Sequence, residues 1–354
     1  MLIYKTILRL RHRAYDSGRK KSSRAAVPTL CVGNVTVGGT GKTPFTEMLL
    51  RLLAESHPEE RLAVLSRGYK RKTKGFMEVD SAGTAGQYGD EPLQIARKFP
   101  SVKVAVDANR VEGCENLKDY DLIVLDDAFQ HRRLRPDFSI VLVDWSRPVF
   151  DDRLLPFGGL RDLPERIFAA DLIAVSKCPV NLTDEEKSDF AHKLRLKSYN
   201  PDDCTALTPD GRRIPVIFTH IEYEKPVSVF PGGDHRYAYA DNLILITGVA
   251  RGGVLARHLS ESYRIVRTFD FPDHHAFTSR DLARIESAAK RFPTAALATT
   301  EKDAQRFISL ASVPERLKQR LLAVPIKMVT DCEKERSLLL ELTGKLFDRS
   351  EDIQ

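Results

Sequence analysis

The chain is predicted to be an α/β protein: a mostly parallel sheet covered by helices, followed by a second, smaller α/β unit. Three observations carry this reading. At 354 residues the chain exceeds the usual single-domain size, so two domains are expected. Several segments, such as Leu122-Ile123-Val124-Leu125 and Leu172-Ile173-Ala174-Val175, are apolar along their whole length, as strands buried on both faces are. Helical patterns separate these segments, and that alternation builds parallel sheets. A hydrophobic content of 42% and a charged content of 29% are ordinary for a soluble globular protein.

The first strand, Leu30-Cys31-Val32, runs into Thr36-Val37-Gly38-Gly39-Thr40-Gly41-Lys42-Thr43. A helical pattern through Met48-Leu49-Leu50 and Leu52-Leu53 follows. A glycine-rich turn between strand and helix that closes on Gly-Lys-Thr is a phosphate-binding loop, so the first unit is read as P-loop NTPase-like. Backbone N–H groups wrap the phosphates, the helix N-terminus adds partial positive charge, and Lys42 neutralises the terminal phosphates. Thr43 offers a hydroxyl to Mg²⁺. The expected nucleotide-binding set is therefore Thr36, Gly38, Gly39, Thr40, Gly41, Lys42 and Thr43. Thr36 stands where the usual pattern opens on glycine, and Gly38 and Gly39 compensate.

The next strand, Leu62-Ala63-Val64-Leu65-Ser66, ends in Arg67-Gly68-Tyr69. Residues 70–90 are polar and glycine-bearing, a loop region with room for a hairpin. Further strands are expected at 102–106, 122–127, 139–144 and 172–177, with a helix starting at Ala108-Asn109-Arg110. Ligands of such a sheet sit at the strand C-termini. From about residue 210 the texture changes, and 214–218 and 227–230 read as connecting strands. The second unit opens with a strand at 243–248. Helices over 253–259 and 279–291 and strands over 263–269 and 295–300 follow it. The expected division is a basic amphipathic helix over 1–24, a P-loop unit over 25–210, a linker over 211–240 and a second unit over 241–354. The end of the last is free to pack back on the first.

Charge is concentrated at one end. Residues 1–24 hold eight Lys and Arg against Asp16 alone, a surplus of seven, whereas the whole chain carries +6. The rest of the chain is therefore close to neutral, which argues against nucleic acid as a partner. On a helix, Ile3, Ile7 and Leu10 share one side with Tyr4, Leu8 and Tyr15 near it, while Lys5, Arg9, His12 and Arg13 take the other. A short basic amphipathic helix suits an anionic membrane surface or, alternatively, packs on its own domain. Charges interrupt the apolar segment, so it reads poorly as a signal peptide. No run approaches the roughly 18 apolar residues of a spanning helix. Five scattered cysteines without paired spacing favour a reducing compartment over disulfides or zinc.

Asp126 and Asp127 end an apolar strand downstream of the loop, where an acid commonly holds Mg²⁺ directly or through water. Adjacent strand residues face opposite ways, so the two have different jobs. In Gly89-Asp90-Glu91-Pro92 the proline fits a first helical turn, making Asp90 or Glu91 an N-cap candidate. The same carboxylate can also receive a proton from a substrate hydroxyl, since phosphoryl transfer needs a positioned acceptor more than a strong base. Phe271-Pro272-Asp273-His274-His275 reads as a surface turn by itself, with a histidine able to pair with an acid across a cleft.

Together these motifs resemble the tetraacyldisaccharide 4′-kinase family of lipid A biosynthesis. The resemblance covers most of the chain and rests on six motifs in order. They are Val32-Gly33-Asn34-Val35-Thr36 with Gly38 to Pro44, Ser66-Arg67-Gly68-Tyr69, and Gly89-Asp90-Glu91-Pro92. Asp126-Asp127-Ala128-Phe129-Gln130-His131, Phe271-Pro272-Asp273-His274-His275 and Thr299-Thr300-Glu301-Lys302-Asp303 complete the set. The resemblance implies transfer of the ATP γ-phosphate to the 4′-hydroxyl of a tetraacyldisaccharide 1-phosphate, giving lipid IVA. It implies two α/β domains on a two-stranded hinge and peripheral residence on the cytoplasmic face of the bacterial inner membrane. By motif, Lys42 and Thr43 bind phosphates and Mg²⁺, Asp126 and Asp127 serve the metal, and Asp90 is the base. His274 is its second-domain partner, chosen over His275 because it directly follows Asp273. The acylated lipid is the expected partner together with the membrane, and no obligatory protein partner is evident. Asp151-Asp152-Arg153 departs from the family's glycine- and asparagine-rich stretch before Leu154-Leu155-Pro156-Phe157-Gly158-Gly159-Leu160-Arg161, leaving the lipid or sugar contacts there open. Two other readings compete: a membrane-associated nucleotide switch, and a P-loop kinase of a soluble metabolite.

Overall fold

A computed structural model of the protein describes residues 2–248, 252–273, 275–310 and 312–348. Helix α1 (Leu2–Asp16) opens it. Strand β1 (Thr29–Asn34) and helix α2 (Lys42–Ser56) flank the glycine-rich loop. Strand β2 (Leu62–Ser66), the short β3 (Met77–Glu78), and helices α3 (Ala85–Tyr88) and α4 (Asp90–Lys98) come next. The alternation continues through β4 (Lys103–Val106), α5 (Arg110–Glu115), β5 (Leu122–Asp126), β6 (Phe138–Asp144) and β7 (Leu172–Ser176). Helix α6 (Asp184–Lys193) and strands β8 (Lys197–Asn200) and β9 (Thr205–Leu207) lead to the long β10 (Arg213–Tyr223).

The smaller unit starts with β11 (Val227–Ser228), β12 (Asn242–Thr247), α7 (Gly252–Ser260) and β13 (Arg264–Asp270). It continues with α8 (Ser279–Arg291), β14 (Ala296–Thr300), α9 (Glu301–Ile308), α10 (Glu315–Lys318) and β15 (Leu321–Val324). Strand β16 (Ile326–Thr330) and helix α11 (Glu333–Asp348) then return to the larger unit.

The larger sheet has the order β3-β4-β2-β5-β1-β6-β7-β10-β9-β8, with β16 paired to β10. From β4 to β10 its neighbours are parallel. The smaller sheet runs β11-β15-β14-β12-β13. Strands β1, β2, β5 and β7 are buried at every position, which is why they read as unbroken apolar runs. Alternate residues feed two cores. Leu30, Val32, Val64 and Val124 pack with Phe45, Leu49 and Leu53 of α2 and with Leu339, Leu346 and Phe347 of α11. Cys31, Ala63, Leu65, Ile123 and Leu125 face the other way. The register sets Val32 opposite Asp126, so the glycine-rich loop and the Asp126 strand end leave the sheet at one edge.

Two expected connectors are strands with other jobs. Residues 214–218 lie inside β10, whose first half pairs in parallel with β7 (Val216 opposite Ile173). Its second half pairs with β16 (Thr219 opposite Thr330). They are apolar because this part of β10 is buried sheet. Residues 227–228 form the edge strand of the smaller sheet through β15.

Candidate active site

The loop after β1 is braced from within. The buried Asn34 donates from Nδ2 to Thr40 Oγ1 at 2.7 Å and to Thr36 Oγ1 at 3.2 Å. Thr36 therefore has an inward task that the glycine usual at that place has no side chain to perform. Gly41 caps α2 at φ 84°, and a Cβ there would stand 2.9 Å from Met328 Cε. The left-handed conformation calls for glycine, while the methionine tip could move aside. Gly38 and Gly39 face open space, with no atom within 4 Å of where a Cβ would be. Lys177 Nζ donates to the Gly39 carbonyl and sits 2.9 Å from Asp144 Oδ2, while Ser176 Oγ donates to the Thr40 carbonyl at 2.7 Å. Lys42 and Thr43 are the first two residues of α2, a position whose N–H groups lack helical partners and suit an anion.

The paired acids occupy different environments. Asp127 leaves the strand at φ 52°. Arg161 holds it bidentately, with Nη1 3.0 Å from Oδ2 and Nη2 on Oδ1, and Lys42 Nζ lies 3.7 Å from Oδ1. Burial alone would raise its pKa, but Lys42 and Arg161 outweigh burial and hold it at about 2. Asp126 is 1% exposed and accepts Ser66 Oγ at 3.0 Å on Oδ2, while its buried Oδ1 has no partner. Burial first, then Glu91 and Asp127, push its pKa up to about 7. An orphaned carboxylate oxygen beside a phosphate loop fits a divalent cation. Among the described residues no three His, Cys, Asp or Glu gather into a metal cage, so a cation there needs Thr43 and phosphate oxygens as further ligands.

Asp90 is the first residue of α4, and Gly89 is its N-cap at φ 95°. This corrects the expected Asp90 or Glu91 cap. A Cβ on Gly89 would meet the Tyr69 carbonyl at 3.1 Å, so glycine alone suits the entry turn and Asp90 is pushed one place into the helix. Arg306 of α9 donates to Asp90 Oδ2 from Nε at 3.1 Å and Nη2 at 2.9 Å. His274 lies outside the described residues. His275 stacks on Phe271 and bonds Asp281 Oδ2 through Nε2 at 3.0 Å. Asp281 also closes the capping box of α8 with Thr278.

Sequence reasoning assigned no role to Arg161, Arg306 or the arginines around His131. Burial, then Arg110, Arg133, Arg11 and Arg67, press the His131 pKa down to about 4. Four guanidiniums within electrostatic reach make the surroundings of this imidazole positive. Asp152, in the departing stretch, accepts the Gly159 N–H at 3.1 Å and pairs with Arg147 at 2.8 Å. Gly159 in turn accepts the Val37 N–H at 2.7 Å, so this segment props the phosphate loop.

Helix α1 docks beside the same site. His12 Nε2 meets Asp162 Oδ1 at 2.6 Å with both residues buried, and Tyr4 donates to the Arg161 carbonyl at 2.9 Å. Arg11 donates to the Gln130 carbonyl at 2.6 Å, and Gln130 donates onward to the Asn34 carbonyl at 2.7 Å. The expected grouping of apolar residues on this helix is split. Leu8 is buried, whereas Ile3, Ile7 and Leu10 are 79%, 55% and 59% exposed. His12 lies inside rather than on the basic outer side, because Asp162 compensates its burial. Among the described residues no helix is long and apolar enough to cross a membrane.

The sheet order, the glycine-rich loop on α2 and the acids ending β5 define a nucleotide-binding α/β protein of the phosphate-loop class, extended by a second small sheet. A family model for tetraacyldisaccharide-1-P 4′-kinase (LpxK) matches residues 1–343. A tetraacyldisaccharide 4′-kinase of Parabacteroides distasonis is 37% identical over 98% of this chain and 92% of its own. One from Bacteroides fragilis is 36% identical over 92% of this chain and 86% of its own. The crystal structure of LpxK from Aquifex aeolicus in complex with ATP superposes with a TM-score of 0.71 at 26% identity, covering 98% of this chain and 96% of that one. The chain belongs to the tetraacyldisaccharide 4′-kinase family.

Proposed function

We propose that the protein transfers the γ-phosphate of ATP to the 4′-hydroxyl of a tetraacyldisaccharide 1-phosphate, giving lipid IVA. One observation in the molecule carries this reading furthest. Lys42, the partnerless Asp126 oxygen and the start of α4 converge at the edge where the glycine-rich loop leaves the sheet. Thr36 to Thr43 cradle the phosphates, and Lys42 and Arg161 offset their charge. Asp126, with Thr43, would hold Mg²⁺, while Asp127 fixes Lys42 and Arg161 rather than offering a free oxygen. Bound there, the ion would supply neutralisation of the phosphate charge. Asp90 accepts the proton as the 4′-oxygen bonds to the γ-phosphorus and the bond to the bridging oxygen of ADP breaks. His274 pairs with Asp90 from the second unit in this reading.

We infer further that residues 25–210 and 241–354 act as two domains, with β10 and β16 as the hinge pair between them and α11, near the end of the second stretch, packed back on the first. The protein sits on the cytoplasmic face of the inner membrane through Ile3, Ile7 and Leu10, flanked by Arg9 and Arg13. An enzyme that comes to the bilayer spares its substrate the exposure of acyl chains to water.

The test is incubation with labelled ATP, Mg²⁺ and the lipid disaccharide, followed by separation of the lipids. A labelled lipid is expected, and its absence in the presence of intact ATP binding would refute the activity. In the same assay Asp90→Ala should lower turnover by about two to four orders of magnitude with nucleotide binding retained. Full turnover in that variant would remove Asp90 from the chemistry.

A further inference from the structure

The segment Thr299-Thr300-Glu301-Lys302-Asp303 is one of the six motifs that carry the family resemblance, and it has no task in the phosphate loop or the paired acids described above. It ends β14 and opens α9, which runs beside α4. Four polar links join the two helices. Arg306 meets Asp90 at 2.9 Å, Lys302 meets Glu91 at 3.2 Å and Glu301 meets Lys98 at 3.0 Å, while Gln305 accepts from Arg97. Lys98 also reaches Glu47 of α2 at 2.7 Å. The second unit thus grips the helix that begins with the proposed base.

Arg306 makes the one of the four links that reaches the proposed base, and it is fixed from behind. Its Nη1 donates to Asp303 Oδ1 at 2.6 Å and to the Gly248 carbonyl at 3.2 Å. Asp303 is fully buried, and its Oδ2 accepts from Thr300 Oγ1 and the Gly248 N–H, both at 2.8 Å. Arg306 itself is 8% exposed. A planar fork held this way cannot follow a wandering carboxylate. Its Nε and Nη2 both donate to Asp90 Oδ2, which fixes where that carboxylate oxygen lies.

We propose that Arg306 is a positioning residue for Asp90: the second unit presents a braced guanidinium that sets the orientation of the base, so the proton acceptor is complete only when α9 lies on α4. This rests on the reading of Asp90 as the base. The Thr300-to-Asp303 motif then has a task of its own, which is to hold Arg306.

The test uses full-length protein, saturating lipid substrate and three variants. Arg306→Gln should lower kcat by about ten- to a hundredfold, the cost of a reacting group displaced by about an ångström. KM for ATP should stay within about twofold, since the phosphate loop is untouched. Arg306→Lys keeps the charge without the fork, and its kcat should fall between those of Arg306→Gln and the parent. Glu301→Gln breaks a neighbouring link between the units without touching Asp90, so its kcat should drop far less. Equal losses in Glu301→Gln and Arg306→Gln would show that Arg306 only holds the units together and would overturn the proposal. An unchanged kcat in Arg306→Gln would do the same. Should thermal melting show Arg306→Gln unfolded, Arg306→Lys decides: a lowered kcat at unchanged KM supports positioning, and parental kcat refutes it. Failure of the underlying reading looks different, because the parent protein would then yield no phosphorylated lipid or Asp90→Ala would retain full turnover.

Discussion

Lys42 and Arg161 both spend their charge on Asp127, and the consequence is a division of labour between two neighbouring carboxylates. One is held by two cations and stays ionised, while the other keeps a buried oxygen with no hydrogen-bond partner. His131, four residues on, shows the reverse pressure. It is half-buried among Arg11, Arg67, Arg110 and Arg133, and burial with those charges lowers its pKa from 6.5 to about 4. The unfolded chain therefore binds this proton more readily than the folded one between about pH 6.5 and pH 4, and stability falls as pH drops through that window. His131→Asn has no proton to gain. Urea unfolding at several pH values should show the parent losing stability relative to this variant on acidification, with the gap closing towards pH 7. Parallel losses in both proteins across the window would sink this account.

At the scale of the element, α1 presents two different faces. Tyr4, Leu8 and His12, spaced by one helical turn, face inward and tie the helix to Arg161 and Asp162. Ile3, Ile7 and Leu10 face outward. Replacing these three with Gln should reduce co-sedimentation with anionic vesicles, most visibly with the basic flank screened by salt, and leave the melting temperature unchanged. Leu8→Ala should do the opposite, costing about 2 to 4 kcal/mol as a buried leucine truncation while vesicle recovery persists in the folded fraction. Loss of vesicle binding only in Leu8→Ala would reverse the assignment of faces. The same helix shows where sequence reading stops. Its charge and amphipathic period are local and legible at once, but which apolar residues turn inward depends on Asp162, a residue 150 positions away. The phosphate loop and the Asp126 strand end were legible because a turn and an apolar run are local patterns. Asp90 with Arg306 was not, since 216 residues separate them and nothing local marks the arginine's target.

For the whole molecule, the chain leaves the larger unit along β10 and comes back along β16 and α11, so the two units are joined at a closed seam rather than by one tether. The return is secured by a buried charge cluster. Lys187 of α6 lies 2.8 Å from both Asp331 and Glu335, and Glu335 also accepts the Phe218 N–H of β10 at 3.0 Å. Burial would lower the lysine's pKa, yet the two carboxylates hold it above its ordinary value, while burial raises that of Glu335. Three charges out of water are tolerable only together, because the desolvation of each is offset by the others. Lys187→Met leaves two carboxylates facing each other inside the protein, and the expected loss is about 3 to 5 kcal/mol, read as a lowered midpoint of urea unfolding. The loss should also be local in character. With the lysine gone, α11 is released from α6 and β10 before the sheet opens, so native-state trypsin should cut at Lys334 and Arg336 faster in the variant than in the parent. An unfolding midpoint and a cutting rate both equal to the parent's would mean that apolar packing of Leu339, Leu346 and Phe347 alone secures the return, with the ion cluster adding nothing to it.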